Sequence, residues 1–298
     1  MSLPAEPVPP KRQAILALSV AATFLAILST NVVNVALPQL MRAFGATVAQ
    51  AEWVVTAYMI TFALALPISG WLADRYGRPR TFFAALGVFI AGALVAAAAP
   101  SLPALVLGRI VQAAGASALG PTAMGLIHEY FEPHERGRAL GLWSAGATLG
   151  PALGPTVGGL LVESVGWRAI FLLYVPLGLL VLAFAAKLLP RGRRAAHANP
   201  FDRRGFHGSM LLSGGLLAAI QGVSHAAWAS AGVGAVALGC AALLLRAPRA
   251  RGGAAFLDFT LLERPAFAAA LALSATRSFA LFGSIFLLPL YMQRVGGL

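Results

Sequence analysis

Long apolar runs recur along the whole chain, each about the length of a membrane crossing and each closed by a short island of charge. A bilayer core of about 30 Å takes about 20 apolar residues of helix, because lipid offers the backbone no hydrogen-bonding partner. Nine such runs can be read, over residues 15–37, 53–72, 81–99, 103–127, 139–162, 167–189, 208–224, 227–245 and 266–292. With 59% of its residues hydrophobic and only 11% charged, no soluble core could hide this much apolar surface. The expected fold is all-α, a polytopic membrane helix bundle.

The formal charge of +12 would suggest a nucleic-acid partner in a soluble domain. Here the cations stand at the ends of apolar runs, so they read as topology signals and contacts to anionic lipid, and no nucleic acid is expected. With the N-terminus placed in the cytoplasm, 17 of the 22 Lys and Arg residues fall in cytoplasmic segments. Arg42, Arg168 and Arg294 fall outside, and Arg109 and Arg277 fall within spans. That bias predicts an inner-membrane protein with a cytoplasmic N-terminus. The first run is too long for a signal-peptide core and is read as a retained helix. Cys240 sits in an apolar run, where burial is expected, and forms no internal disulfide since it is the one cysteine. His128, His134 and His225 belong to no catalytic or metal-ligating constellation, so neither an enzyme nor a cofactor is expected.

The hydrophilic break at 191–207, rich in Arg, His, Asn and Pro, divides the chain. The organisation read from this is a cytoplasmic tail over 1–14, a six-span bundle over 15–190 and a cytoplasmic linker over 191–207. Two further spans over 208–245, a cytoplasmic loop over 246–265 and the first span of another bundle over 266–298 follow. The six-span bundle carries an internal echo: Gly70, Leu72, Asp74 and Gly77 are matched 89 residues later by Gly159, Leu161, Glu163 and Gly166. One copy falls on the cytoplasmic side and the other outside, as an inverted three-plus-three repeat requires.

Between the second and third runs lies Gly70-Trp71-Leu72-Ala73-Asp74-Arg75-Tyr76-Gly77-Arg78-Pro79-Arg80. It reads as a tight reversal in which Asp74 pairs with flanking arginines, or more plainly as a basic loop that fixes orientation. The pattern resembles the loop signature of the major facilitator superfamily, which implies a conformational role for Gly70, Asp74, Arg75, Gly77 and Arg78. The first run ends in Leu28-Ser29-Thr30-Asn31-Val32-Val33-Asn34-Val35-Ala36-Leu37-Pro38, similar to the multidrug branch that includes the EmrB and QacA exporters. That branch usually has an aspartate where Ser29 stands, and a serine cannot titrate in the working range. Asn31 and Asn34 can line a cavity or bond one helix to another.

Arg109, Gln112 and Gly115 resemble the superfamily's fourth-span motif, whose arginine is tied to proton transfer. An arginine within a span needs water, a polar partner or the bundle interior, and Arg109 lies near enough to the span's end to snorkel instead. Gly146, Gly150, Gly154 and Gly158 recur every four residues, a nearly side-chain-free stripe for close helix packing. With Pro151, Pro155 and Gly159 the stretch resembles the antiporter signature of the superfamily. Trp167-Arg168-Ala169-Ile170-Phe171-Leu172-Leu173-Tyr174-Val175-Pro176 extends the likeness, and Asp202-Arg203-Arg204-Gly205 and Leu288-Pro289-Leu290-Tyr291-Met292-Gln293 continue it more weakly.

The resemblance implies a fourteen-span drug:proton antiporter lacking its C-terminal part. The expected activity is efflux of drug-like or small organic solutes by alternating access, with the bilayer, a solute and protons as partners. Because none of the ten acidic residues falls securely mid-span, anionic or neutral solutes are favoured over cationic dyes. The alternative is a transport-inactive truncated protein or a half-transporter needing a partner chain, with self-association through the glycine stripe.

Overall fold

The computed structural model describes residues 10–189, 203–224, 228–246, 261, 263–278 and 280. Met1–Ala254 form one compact unit and Ala255–Leu298 a second. The first contains α1 (Pro10–Phe44), α2 (Val48–Ala51), α3 (Trp53–Tyr76), α4 (Arg78–Ala97), α5 (Leu102–Tyr130), α6 (Pro133–Ser164), α7 (Trp167–Leu188), α8 (Arg203–Ser224) and α9 (Trp228–Arg246). Among the described residues there is no strand. The described part of the second unit is mainly a helix over 265–278 that exposes Phe267, Leu271 and Leu273.

Among the described residues six helices are long and apolar enough to cross a membrane: α1, α2–α3 together, and α4 to α7. They coincide with the first six runs read from the sequence. The seventh and eighth runs are α8 and α9, packed so closely that a Cβ on Gly215 would lie 2.9 Å from Ala237 Cβ. The ninth run is helical as far as it is described; most of the linker at 191–207, the tail before Pro10 and the Leu288–Gln293 motif lie outside the described residues. Cys240, expected to be buried, is exposed on α9.

The second and third runs are longer as helices than hydropathy predicts. Charged residues end apolar runs but not helices, so α3 continues through Asp74 and Arg75 to Tyr76, and α4 starts at Arg78. What reads as a loop of eight residues is the single residue Gly77, at φ 89°, where only glycine is unstrained. Its N–H donates to Ala73 O at 3.0 Å and its carbonyl accepts from Thr81 N at 3.1 Å. Pro79 falls in the first turn of α4, where a missing N–H costs nothing. Gly166, the last residue of the echoed motif, holds φ 100° at the α6–α7 junction. The two copies thus make the same kind of corner at equivalent points of the bundle.

The core is built on α1, α4 and α5, with about half of each apolar window buried, whereas α3 and α6 are buried over only 22%. Small residues let α4 and α5 touch: a Cβ on Gly108 would lie 2.6 Å from Ala96 N, and ones on Gly92 and Gly115 would collide with Gln112 and Phe89. Phe82, Phe89 and Phe171 fill the interior beside them.

Candidate functional site

α5 begins at Leu102, just after Ser101, with Pro103 in its first turn, and runs unbroken through Arg109. The side chain of Arg109 does not snorkel: it is wholly buried, the largest fully buried side chain among the described residues. An isolated buried guanidinium is costly, and its neighbours offset part of that cost. Arg109 Nε donates to Val54 O at 3.2 Å, and Nη1 donates to Gln112 Oε1 at 2.8 Å, one turn along α5. The guanidinium carbon lies 3.9 Å from the centre of the Tyr58 ring and 6.0 Å from that of Phe171. Such cation–π contacts strengthen when water is excluded.

Tyr58 joins this cluster to α1. Its hydroxyl and Ser29 Oγ are 2.8 Å apart, and both also reach Ala26 O. Ser29 therefore stands in a buried chain, Ser29 to Tyr58 to Arg109, that links α1, α3 and α5; Phe171 adds α7. Three donor atoms in the cluster have no partner: Arg109 Nη2, Gln112 Nε2 and the Tyr174 hydroxyl.

Of the residues singled out by sequence, Arg109 and Gln112 are brought together. Asn31 Nδ2 donates to Ile27 O on its own helix at 2.9 Å, and Asn34 is exposed. Neither bonds to another helix. Arg277 is exposed on the helix of the second unit. Sequence reading missed Tyr58 and Tyr174, which sit in apolar runs where a tyrosine resembles another aromatic; a phenol in a span that also needs a partner is the available signal. An open groove of about 840 Å³, lined by Phe44, Gln50, Trp53, Leu102, Val106 and Ile110 among others, lies at the end of the bundle where α5 starts and does not include Arg109.

At the opposite end the Gly70–Arg80 stretch is held differently from expectation. Asp74 is exposed and, among the described residues, makes no ion pair or hydrogen bond; it does not pair with its arginines. A carboxylate at a helix end keeps its hydration more cheaply than it gains a surface ion pair. Arg75 instead lies over Trp71 and Tyr76, at 5.4 and 5.9 Å. Arg78 anchors the corner to α5, donating to Gly125 O at 2.9 Å and approaching Glu129 at 3.4 Å. Gly70 is exposed on α3.

The stripe of α6 does not await a missing partner, because α1 covers it. Added Cβ atoms on Gly150, Gly154 and Gly158 would lie 2.8 Å from Ile27 Cγ2, 2.8 Å from Asn31 Cβ and 2.9 Å from Val32 O, and one on Gly146 would strike Val20. Gly159, off the stripe, meets nothing within 4 Å, and Pro151 and Pro155 lie inside the continuous helix. Polar contacts bracket this seam: Arg12 to Glu132 and Glu135 at 3.0 and 2.8 Å, Trp143 Nε1 to Thr23 Oγ1 at 3.0 Å, and Gln39 Nε2 to Val162 O at 3.0 Å.

Residues 20–298 match the family model described as Major Facilitator Superfamily. The chain is 35% identical over 287 residues to a multidrug resistance protein B homolog of Mycobacterium tuberculosis, covering 93% of this chain and 52% of that protein. It is 36% identical over 282 residues to a methylenomycin A resistance protein of Streptomyces coelicolor, covering 92% and 58%. Over 190 residues it is 35% identical to multidrug export protein EmrB of Haemophilus influenzae, covering 64% and 37%. The chain thus spans about half the length, or less, of these relatives. Among solved structures, the POT family transporter PepTSo aligns with a TM-score of 0.56 at 18% identity, over 80% of this chain and 51% of that one. The human organic anion transporter MFSD10 aligns at 0.55 and 16%, over 69% and 55%.

Proposed function

The chain belongs to the major facilitator superfamily, and on that premise we propose that it works as an exporter of drug-like or small organic solutes, of the fourteen-span multidrug branch. The single observation that carries the reading is Arg109: a guanidinium held wholly inside a bundle whose relatives are named for drug resistance. A buried charge of this kind marks a transport path more often than a packing device. Export proceeds by alternating access, with the bundle rocking about a midplane site and proton antiport supplying the energy. Positive charge at the cluster, with no carboxylate bonded to it, suits anionic or neutral solutes better than cations. The N-terminus faces the cytoplasm and the membrane is the inner one, because cations collect at one set of helix ends. The corner at Gly77 serves as the conformational element, with exposed Asp74 free to engage a partner in one state and release it in another.

In an efflux-deficient bacterial host, expression of the protein that carries this chain should lower accumulation of neutral and anionic antibiotics. A protonophore or Arg109→Ala should restore accumulation without loss of protein from the membrane fraction. Unchanged accumulation across such a panel would overturn the transport reading, and export of cationic dyes alone would overturn the substrate class.

A further inference from the structure

The Arg109 cluster is complete as a cage but not in charge. Every bonded partner of the guanidinium is neutral: the Val54 carbonyl, the Gln112 carboxamide oxygen and the face of Tyr58. No salt bridge reaches it among the described residues. The atoms left over can all donate. Arg109 Nη2, Gln112 Nε2 and the Tyr174 hydroxyl are buried donors without acceptors. Their placement is shared as well. Tyr174 lies one turn of α7 from Phe171, which faces the guanidinium, and its ring meets Phe89 at 5.6 Å; Phe89 and Gly92 are the α4 residues against which Gly115 and Gln112 pack. An unpaired N–H on the cation itself, two further unpaired donors and no bonded carboxylate call for an anionic acceptor, since each orphaned donor and the bare charge are costly in a dry interior.

We propose that this cluster binds one small monovalent anion of halide size. Arg109, Gln112, Tyr58 and Tyr174 are each at most 1% exposed, and so closed an interior favours the smallest anions. Ser29 offers a second handle on the site. Its oxygen is bonded to Tyr58, whose ring lies under the guanidinium, so a carboxylate at position 29 would bring a negative charge toward the guanidinium from within the chain. The anion does from outside what such a residue would do from inside.

The test is thermal unfolding of the purified protein that carries this chain, in lipid nanodiscs, with sodium chloride or bromide exchanged for sodium gluconate at constant ionic strength. The melting temperature should rise saturably with halide. Tyr174→Phe, which removes one unpaired donor and no bond, should raise the half-saturating halide concentration about tenfold, a loss of about 1.4 kcal/mol of binding. Arg109→Gln should abolish the response. Ser29→Asp should melt in gluconate at or above the wild-type temperature in chloride, with no halide dependence left. Equal melting of the wild type in chloride and gluconate would overturn the proposal, as would a halide response that survives unchanged in Tyr174→Phe and Ser29→Asp. Those two variants decide the matter if Arg109→Gln does not fold.

Discussion

The packing of α6 on α1 makes a prediction whose size follows from the geometry. In Gly154→Ala the new methyl would sit 2.8 Å from Asn31 Cβ, where carbon atoms in good contact stand about 3.5–4.0 Å apart. Asn31 Cβ is fixed to its backbone and cannot rotate away, so the two helices must part or the chain must distort. Gly159→Ala on the same helix adds the same methyl to open space. Both substitutions gain the same helix propensity, about 1 kcal/mol, so the difference between them isolates the steric effect. Overpacking of this kind costs about 1–3 kcal/mol. At roughly 2–4 °C for each kcal/mol, Gly154→Ala should melt about 2–12 °C below Gly159→Ala in a tryptophan-fluorescence scan of the purified protein in nanodiscs. Asn31→Gly should rescue much of that loss when combined with Gly154→Ala, because it vacates the contested space. If Gly154→Ala and Gly159→Ala melt together, the stripe is not the surface on which α6 meets α1, and the seam is wrongly assigned.

Arg78→Ala removes the bond to Gly125 O and the approach to Glu129, which are partly exposed, so it should cost about 0.5–1.5 kcal/mol and show as faster amide exchange at the end of α5; unchanged exchange there would refute the anchor. Hydrogen bonds from Arg12 and its charge hold the Glu132 carboxyl below its ordinary value of 4.5. Its contribution to stability is therefore fully present above that value and disappears as pH falls through the lowered one; amide exchange at the start of α1 should rise over that acid range, and Arg12→Gln should remove the rise. In a Cys240→Ser background, single cysteines at Asp74 and Glu163 should react with an impermeant maleimide from opposite faces of the membrane, and labelling from one face would refute the inverted repeat.

Much of this fold was legible because lipid leaves the chain few options. Runs of about 20 apolar residues gave six bundle helices in their order, and the spacing of four at Gly146, Gly150, Gly154 and Gly158 marked a close-packing face. Three features were not legible, each for a physical reason. Hydropathy measures transfer to lipid and not helical hydrogen bonding, so it ended α3 early, began α4 late and turned one glycine into a loop. The occupant of the stripe depends on where α1 returns in three dimensions, which no local pattern encodes. Nearness in sequence suggested that Asp74 pairs with its arginines, but Arg75 finds aromatic rings and Arg78 finds the end of α5. At the site itself, Arg109 and Gln112 were visible through their cost in a membrane. Tyr58 and Tyr174 were not, since a phenol in an apolar run declares itself only when its hydroxyl is traced.

These contacts divide the bundle into a part built to stay together and a part left open. α6 presents glycines to α1, whereas Leu142, Leu149, Leu153 and Leu160 point away from the bundle and are more than 40% exposed. A seam without side chains has few rotamers to rearrange, and it is tied near both ends and toward its middle by Arg12, Gln39 and Trp143. α1 and α6 are therefore packed as a single unit. The Arg109 cluster touches that unit: through Ser29 and Tyr58 it reaches α1, through Val54 it reaches α3, and its ring contact with Phe171 reaches α7. The contacts of this one guanidinium and its partners thus reach four helices, whereas exposed Asn34 bonds to no other helix. Coupling between a bound charge and a movement of the bundle requires such a shared contact, because a site can shift a conformational equilibrium only as far as its interactions differ between the two states.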